Sequence, residues 1–463
     1  MYLRDPAHSS YNSTESLLNS RNAGRLTPQW TTTVNAPIST GVTVSAGVLF
    51  FGAWDGNFYA VESSTGAILW MRNLGKAPDP EDPECGPGIG IASQPAVSGD
   101  TVYAAGGDST VYALNRYTGE IVWRVPLADP QAGAFLWSSV LLSGNTLYVG
   151  IASLADCPLV RGGVARIPLD DPTHPLIRYL VPEDTAGASV WSTPAIDEQA
   201  NVLYVTTGNA DFDVQDAGQG IWGSALLALD ASTLGIQAYF LLQLAPGDIA
   251  ADWGSSPSLF ATPDGNQFVA ASGKNGIMWV LHRPDLTPVW AATLAIDCVA
   301  PEFGCGSLST PAFDRRTVFT AAGTSDLFPG YDGSVYAFDP AGPSLLWAHP
   351  SAGVVIAPVT VTPELVLVPT IKGMVVLDAA SGEELWTDSE NGGLYSQAVV
   401  ADGTMYCTYI SGAVIAWRAT GLPGNPVAAG PARAQALRSP VPPPLLRRGP
   451  RKLSRPAPAS PPQ

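Results

Sequence analysis

Charged side chains are scarce in this sequence, and basic ones are the scarcest. Only 14% of the residues are charged, and 23 Lys and Arg stand against 40 Asp and Glu, which gives a formal net charge of −17. Lysine occurs only as Lys76, Lys274, Lys372 and Lys452. Because an acidic surface repels a polyanion, the composition argues against a protein that binds nucleic acid.

Several other features are missing. No apolar run reaches the length of about 20 residues that a transmembrane helix needs. Residues 1–6 lack the basic-then-apolar pattern of a secretory signal, so either the protein is cytosolic or the sequence begins downstream of the original start. There is no Cys-x-x-Cys-His for covalent haem attachment. The four histidines show no metal or catalytic-triad spacing, which disfavours a hydrolase.

The five cysteines leave the compartment open. Cys298 and Cys305 flank a short loop containing glycine and proline, so a local disulfide is one interpretation and it would require an oxidising compartment. Free buried cysteines are the other interpretation.

What the sequence does contain is a repeat. One unit combines an apolar strand, a second strand, a Thr-Gly turn and a strand carrying tryptophan, and it is clearest in residues 48–70 and 101–123. Later copies fall at residues 333–347 and 373–386. Each short strand is bounded by turn residues, so each unit is predicted to be a four-stranded β-meander.

About eight units are present, beginning near Ile38, Gly90, Leu136, Val190, Ala251, Leu308, Ile356 and Tyr395. Radial closure leaves only short protected sheet edges, so the repeat predicts an all-β fold, an eight-bladed β-propeller of four-stranded antiparallel blades. The last unit lacks its tryptophan strand, and residues 24–34 resemble the missing strand. We therefore expect the N-terminal strand to complete the last blade and close the ring.

The domain organisation follows from the repeat. Residues 1–25 form a lead-in, residues 26–421 the propeller, and residues 422–463 a tail with 12 prolines, 7 basic residues and no acidic residue. A segment of that composition cannot bury enough apolar surface to offset chain ordering, so we expect the tail to be disordered.

Six of the 13 tryptophans occupy the outer-strand position of a unit: Trp30, Trp70, Trp123, Trp290, Trp347 and Trp386. An aromatic ring at that position is predicted to cover the joint between blades, which is a structural role.

The fourth and fifth units depart most from the repeat. In a propeller, the loop that enters the first strand and the loop that leaves the second strand lie on the same face near the axis. Trp191, Asn209, Asp252 and Lys274 are therefore expected to converge on one axial opening. A flat aromatic ring suits a planar ligand, amide and carboxylate oxygens suit a hard cation, and an amine supplies a positive donor.

Each of these residues also has an ordinary structural interpretation. Trp191 would serve packing, Asn209 a turn after glycine, Asp252 a solvated loop and Lys274 the surface. Lys274 is the hardest to assign to the surface, because the predicted propeller contains only three lysines.

The same residues resemble a known family, the quinoprotein alcohol dehydrogenases that hold pyrroloquinoline quinone (PQQ) and Ca²⁺ on an eight-bladed propeller, in particular the polyvinyl-alcohol dehydrogenase branch. Two stretches carry the resemblance: residues 190–209, from Val-Trp-Ser-Thr-Pro to Thr-Gly-Asn, and residues 252–276, from Asp-Trp-Gly-Ser-Ser-Pro to Ser-Gly-Lys-Asn-Gly. The opening residues 4–12 are similar to that family's start.

The resemblance implies a set of roles. Asp252 and Lys274 would be catalytic, with Asp252 taking the hydroxyl proton and Lys274 beside the quinone oxygens. Trp191, Asn209, Lys274 and Asn275 would bind PQQ, and Asn209, Asp252 and Asp156 would bind Ca²⁺. Alignment places Cys157 where the family carries an acidic ligand, and the neighbouring Asp156 is the substitute. A hard cation does not choose a thiol.

The resemblance also implies a small or polymeric alcohol as substrate, a separate electron acceptor such as a cytochrome, and a periplasmic or secreted location. The alternative is a noncatalytic propeller of PQQ-like repeats that acts as a binding or assembly scaffold, which predicts generic residues at the axial openings.

Overall fold

The structure, a computed structural model, describes residues 1–82, 85–210, 216–242, 252–296 and 308–422. Within these residues the chain forms 33 β-strands and no α-helix. Three short 3₁₀ turns lie at Ala23–Arg25, Pro130–Ala132 and Ala217–Gln219.

The strands form eight antiparallel sheets that follow one another along the chain. The first four blades contain, in order, β2 (Thr43–Ser45), β3 (Val48–Gly52), β4 (Asn57–Glu62) and β5 (Ile68–Asn73); β6 (Ala96–Ser98), β7 (Thr101–Ala105), β8 (Thr110–Asn115) and β9 (Ile121–Pro126); β10 (Ala134–Phe135), β11 (Leu141–Ser143), β12 (Thr146–Ser153), β13 (Gly163–Pro168) and β14 (Leu176–Tyr179); and β15 (Ala195–Asp197), β16 (Val202–Thr206), β17 (Ala225–Asp230) and β18 (Ile236–Leu241). In blade 3 the short β10 and β11 both pair with β12.

The next three blades contain β19 (Ser258–Ala261), β20 (Gln267–Ser272), β21 (Ile277–His282) and β22 (Pro288–Thr293); β23 (Ala312–Phe313), β24 (Val318–Ala322), β25 (Gly333–Phe338) and β26 (Leu345–Ser351); and β27 (Thr360–Val361), β28 (Leu365–Thr370), β29 (Gly373–Asp378) and β30 (Glu384–Asp388). Blade 8 contains β31 (Val399–Ala401), β32 (Thr404–Thr408) and β33 (Ala413–Ala419).

The fourth strand of blade 8 comes from the other end of the chain. Strand β1 (Leu26–Thr33) pairs antiparallel with β33, from Leu26 opposite Ala419 to Thr33 opposite Ala413. The first strands of blades 8 and 1, β31 and β2, also contact each other. The sequence predictions of eight blades and of an N-terminal closing strand are confirmed.

The apolar core is divided among the joints between blades. Eight clusters of buried residues each combine side chains from two adjacent blades, from blades 1 and 2 around to blades 8 and 1. The central strands are buried on both faces, as Phe50 and Phe51 show on β3. Each sheet is thus covered by both of its neighbours.

Outer-strand tryptophans fasten these joints as predicted. Trp70 donates its indole N–H to the carbonyl of Arg116 in the next blade at 2.9 Å, and its ring lies over Gly119. Trp30 and Trp347 repeat the arrangement on Gly66 and Gly382. The glycine of the Thr-Gly turn is required because a Cβ on Gly119 would come within 2.5 Å of the Trp70 ring.

The lead-in crosses the first strands of five blades in succession. Backbone hydrogen bonds join Pro6 to Ile196 in blade 4, Ala7 to Leu259 in blade 5, Ser9 to Phe313 in blade 6 and Ser10 to Val361 in blade 7, and the Asn12 amide donates to Val400 O in blade 8. His8 is fully buried within this strap, which we define as residues 3–15. Burial lowers the pKa of His8 to about 4, so its imidazole is neutral and Nδ1–H donates to Pro257 O at 2.9 Å.

Other sequence predictions are not tested by the fold. The Pro-rich tail and the Cys298–Cys305 pair lie outside the described residues, and the proposed domain boundaries stay predictions. Among the described residues, no helix has the length and apolar character needed to cross a membrane.

The tryptophan joints generate a stability prediction. Gly119→Ala should lower the free energy of unfolding by about 1–3 kcal/mol more than Gly99→Ala, because only the former adds a methyl group against a packed ring. Both glycines have positive φ, 69° and 54°, so both variants carry backbone strain, but nothing lies within 4 Å of a Cβ on Gly99. Urea unfolding measures the difference, and equal losses would refute a packing role for Trp70.

Candidate functional site

A cavity of about 430 Å³ lies on the axis, where the eight inner loops meet. An inner loop is the segment that leads into the first strand of a blade. Each inner loop contributes to the cavity wall two residues, at positions i and i+2. One ring of eight is Ser39, Ala92, Trp137, Trp191, Gly254, Leu308, Ile356 and Tyr395, and the other is Gly41, Gln94, Ser139, Thr193, Ser256, Thr310, Pro358 and Gln397. All sixteen line the cavity, because alternate residues of an extended segment face the same side.

Hydrogen bonds between blades hold the second ring. The backbone N–H of Gln94 donates to Ser139 Oγ at 3.1 Å, Ser139 N–H to Thr193 Oγ1 at 3.0 Å, and Thr193 N–H to Ser256 Oγ at 3.0 Å. The pattern continues from Ser256 to Thr310. Each hydroxyl therefore orients the neighbouring blade, and the cavity wall is fixed by contacts that cross every joint from blade 2 to blade 6.

The charged groups come from blades 3 and 5, and blade 4 adds an amide. Asp252 lies in the inner loop of blade 5, while Asp156, Asn209 and Lys274 lie in the loops that leave the second strands of blades 3, 4 and 5. All four line the cavity. The backbone N–H of Lys274 donates to Asp252 O at 2.8 Å, so the two loops of blade 5 are joined where their side chains meet.

Asp252 and Lys274 form a buried ion pair. Lys274 Nζ lies 2.7 Å from Asp252 Oδ1, and only 4% of the Asp252 side chain and 21% of the Lys274 side chain are exposed. The ammonium also lies 5.1 Å from the centre of the Trp191 ring, within cation–π range. This contact orders the indole and the amine as one unit.

The electrostatics of Asp252 are set by opposing effects. Burial raises its pKa, the Lys274 ammonium lowers it, and the negative charge of Asp156 raises it again. The net result is a pKa above the ordinary carboxyl value. Such a carboxylate holds a proton more tightly than an exposed one, which is the property a general base needs near neutral pH.

Gly208 lets the fourth blade approach this pair. A Cβ at position 208 would lie 3.2 Å from Asp252 Oδ2, so the bare backbone of Gly208 leaves room for the carboxylate. The carbonyl of the next residue, Asn209, accepts from Ala188 N–H at 2.8 Å, which fixes the backbone of this lining residue.

Five of the six predicted site residues line this cavity: Asp156, Trp191, Asn209, Asp252 and Lys274. Asn275 is not among the lining residues, and its Oδ1 accepts from Ile277 N–H at 3.2 Å in the turn before β21. The structure therefore gives Asn275 a turn role, and its cofactor role stays a prediction.

Cys157 has a partner that the sequence did not indicate. It forms a disulfide with Cys85, 72 residues away. Cys407 is free and buried. The position that aligns with an acidic ligand is thus occupied by a cystine, and Asp156 beside it is the carboxylate that lines the cavity.

Sequence reasoning also missed several lining residues, notably Tyr2, Trp54 and Trp137. A signal for Trp137 was present, because Leu136-Trp-Ser has the same register as Val190-Trp-Ser. Tyr2 extends from the lead-in to the second ring of lining residues, with its hydroxyl 3.3 Å from Ser256 Oγ. No local sequence pattern predicts that contact.

The donors fit the group that the resemblance implies. Two carboxylates and an amide oxygen face one cavity, which is the oxygen chemistry that Ca²⁺ prefers. Asp156 and Asp252 are near enough for one charge to raise the pKa of the other, so a cation there would relieve their repulsion. The Trp191 face and the Lys274 ammonium suit a planar anionic quinone.

Fold and site together define an eight-bladed propeller with an ionic axial cavity, and comparison places it in a family. A family model described as "Outer membrane protein assembly factor BamB" matches residues 20–225 and 331–423, and one described as "Glucose/ethanol/alcohol dehydrogenase, beta-propeller domain" matches residues 179–294. The chain belongs to the family of PQQ-repeat β-propellers.

Named relatives share low identity with the chain. The quinoprotein ethanol dehydrogenase of Pseudomonas putida is 23% identical over 332 residues, covering 58% of this chain and 51% of the relative. The polyvinylalcohol dehydrogenase of Sphingopyxis sp. is 24% identical over 329 residues, covering 62% and 48%. The chain thus spans about half the length of the curated relatives it matches.

Solved structures agree on the fold. The quinohemoprotein alcohol dehydrogenase from Comamonas testosteroni superposes with a TM-score of 0.71 at 16% identity, covering 89% of this chain and 79% of that one. BamB from Moraxella catarrhalis gives a TM-score of 0.56 at 15% identity, covering 86% and 98%.

The buried ion pair generates a pH-dependent prediction. Lys274→Met should raise the pKa of Asp252 further, because the ammonium is the main influence that lowers it. At pH 8 the folded variant then holds an unpaired buried carboxylate and should lose roughly 3–5 kcal/mol of unfolding free energy. Below about pH 4 the carboxyl is protonated in the folded and unfolded states, so the loss should be much smaller.

Urea unfolding at pH 3 and pH 8 measures this difference. Lys372→Met is the matched control, since its partner Asp332 and Lys372 itself are each 56% exposed, and it should cost at most about 1 kcal/mol at either pH. An equal loss for Lys274→Met at both pH values would show that the pair is not electrostatically coupled.

Proposed function

We propose that this chain oxidises an alcohol with PQQ and Ca²⁺ held in the axial cavity. The observation that carries the proposal is the meeting of Asp252, Lys274, Asn209 and Asp156 beside the Trp191 ring, four polar groups from three blades in one partly buried cavity. A generic propeller axis does not require two carboxylates that line one cavity and repel each other, because that arrangement costs stability unless a cation is bound.

Each residue of the site has a separate proposed role in the reaction. Bound PQQ would supply a quinone able to accept a hydride, and bound Ca²⁺ would supply positive charge in the cavity. Asp252 takes the proton from the substrate hydroxyl, since it is buried and its pKa is raised. Lys274 Nζ donates a charge-assisted hydrogen bond where negative charge develops, and Trp191 provides the flat surface that orients the ring system.

Asp156, Asn209 and Asp252 are the proposed cation ligands. Asp252 would therefore have two roles, as a cation ligand and as the base. Positive charge in the cavity would keep its carboxylate ionised and so able to accept a proton.

Substrate, acceptor and compartment extend the proposal. The substrate is a small or polymeric alcohol, and its two electrons pass from the cofactor to a separate acceptor such as a cytochrome. We place the protein in the periplasm or outside the cell. The Cys85–Cys157 disulfide supports that location, because disulfides persist in oxidising compartments.

A noncatalytic scaffold is the second candidate function. The match of residues 20–225 and 331–423 to the BamB family model supports it. The buried Asp252–Lys274 pair argues for the enzyme, since a scaffold has no need of an ion pair inside its axial cavity.

Reconstitution tests the proposal. Purified protein incubated with PQQ and Ca²⁺ should retain quinone absorbance after desalting and should reduce a dye when ethanol, 1-butanol or polyvinyl alcohol is added. Asp252→Asn should lower the rate about 10²- to 10⁴-fold, the usual contribution of a general base. Asp332→Asn removes an exposed carboxylate of blade 6 and should leave the rate unchanged.

Two results would contradict the enzyme assignment. One is the absence of retained PQQ in the wild-type protein, which would favour the scaffold. The other is an undiminished rate in Asp252→Asn, provided that circular dichroism shows the variant to be folded.

A further inference from the structure

The Cys85–Cys157 disulfide lies beside the proposed cation site. It joins the long loop between blades 1 and 2 to the loop that follows β12 in blade 3. Cys85 is 5% exposed and lines the axial cavity together with Gly86, Pro87 and Ile89. Cys157 directly follows Asp156, which lines the same cavity.

Hydrogen bonds anchor both ends of the loop that carries Asp156. Leu154 N–H donates to Gly133 O at 2.8 Å, and Val160 N–H donates to Ser153 Oγ at 3.0 Å. Between these points the disulfide ties the loop covalently to another blade joint. It is therefore the covalent anchor of the segment from which Asp156 projects.

The backbone of Asp156 needs such an anchor. Its φ is 54°, in the left-handed region that residues other than glycine seldom occupy. A conformation of that kind persists only when the surrounding structure enforces it. The adjoining cystine is a constraint one residue away that can enforce it.

We propose that the Cys85–Cys157 disulfide is a positioning device that holds the Asp156 carboxylate toward Asp252 and thereby sets the affinity of the axial site for Ca²⁺. This inference rests on the proposed function, because it takes Asp156 as a cation ligand. The disulfide itself contributes no ligand to the cation. It acts through the neighbouring carboxylate, as outer groups commonly do when they orient a metal ligand.

A calcium titration tests the inference without measuring turnover. Calorimetry of Ca²⁺ binding, with and without saturating PQQ, is compared for the wild type and for Cys85→Ala/Cys157→Ala. We expect the double variant to bind Ca²⁺ about 10- to 100-fold more weakly, the range typical for loss of an orienting partner. Substitution is preferable to a reductant because Asp82 and the two freed thiols lie within 4.8 Å of one another and would themselves bind soft metals.

Two controls separate positioning from general loosening. Cys407→Ala removes the free buried cysteine of blade 8 and should leave Ca²⁺ affinity unchanged. Asp156→Asn should weaken binding by itself, and removing the disulfide in that background should add little, because the cystine acts through the missing carboxylate. Circular dichroism confirms that each variant is folded at the titration temperature.

The outcomes are distinguishable. Wild-type affinity in the double variant overturns the positioning role and leaves the proposed function standing. A full further loss in the Asp156→Asn background overturns it too, since the cystine would then act on the cavity as a whole. No saturable Ca²⁺ binding by the wild type, with PQQ present, overturns both the proposed cation site and this inference.

Discussion

The closure of the ring is the constraint on which everything else in this molecule depends. No blade covers its own faces, because eight of the nine apolar clusters among the described residues each need two neighbouring blades. Strand β1 on β33 supplies the last joint, and without it two sheet faces and one sheet edge would meet water. At the outer rim, tryptophan rings that pack on turn glycines also hold adjacent blades together.

The site is a product of the same closure. Asp156, Asn209 and Asp252 belong to different blades, so their convergence depends on the angles at which blades 3, 4 and 5 pack. The ring of backbone N–H to hydroxyl bonds from Gln94 to Thr310 fixes those angles close to the axis. The two carboxylates stay in one cavity because separating them would require blades 3 and 5 to move apart, which the contacts between blades oppose.

Sequence reasoning predicted the features that repeat and missed those that depend on a single long-range contact. The eight blades, the closing strand and the position of Trp191, Asp252 and Lys274 follow from periodicity, because a propeller sends equivalent loops to equivalent places. The Cys85–Cys157 disulfide joins points 72 residues apart in irregular loops, so no spacing reveals it. Asn275 shows why a single residue is hard to assign, because an amide after lysine suits a turn as well as a ligand, and its bond to Ile277 shows only the turn.

The pairing of β1 with β33 determines when, during synthesis, the ring can close. Strand β1 precedes all eight blades in the chain, yet it pairs with β33, and after Leu26 a further 387 residues (413 minus 26), up to Ala413, must be made before that pairing is available. At 5–20 residues per second this interval is roughly 20–80 s. During that time β1 has no sheet to join and the blades already made have no complete ring. The ring can therefore close only after blade 8 has been made, and a factor that shields exposed strand edges would act within this interval.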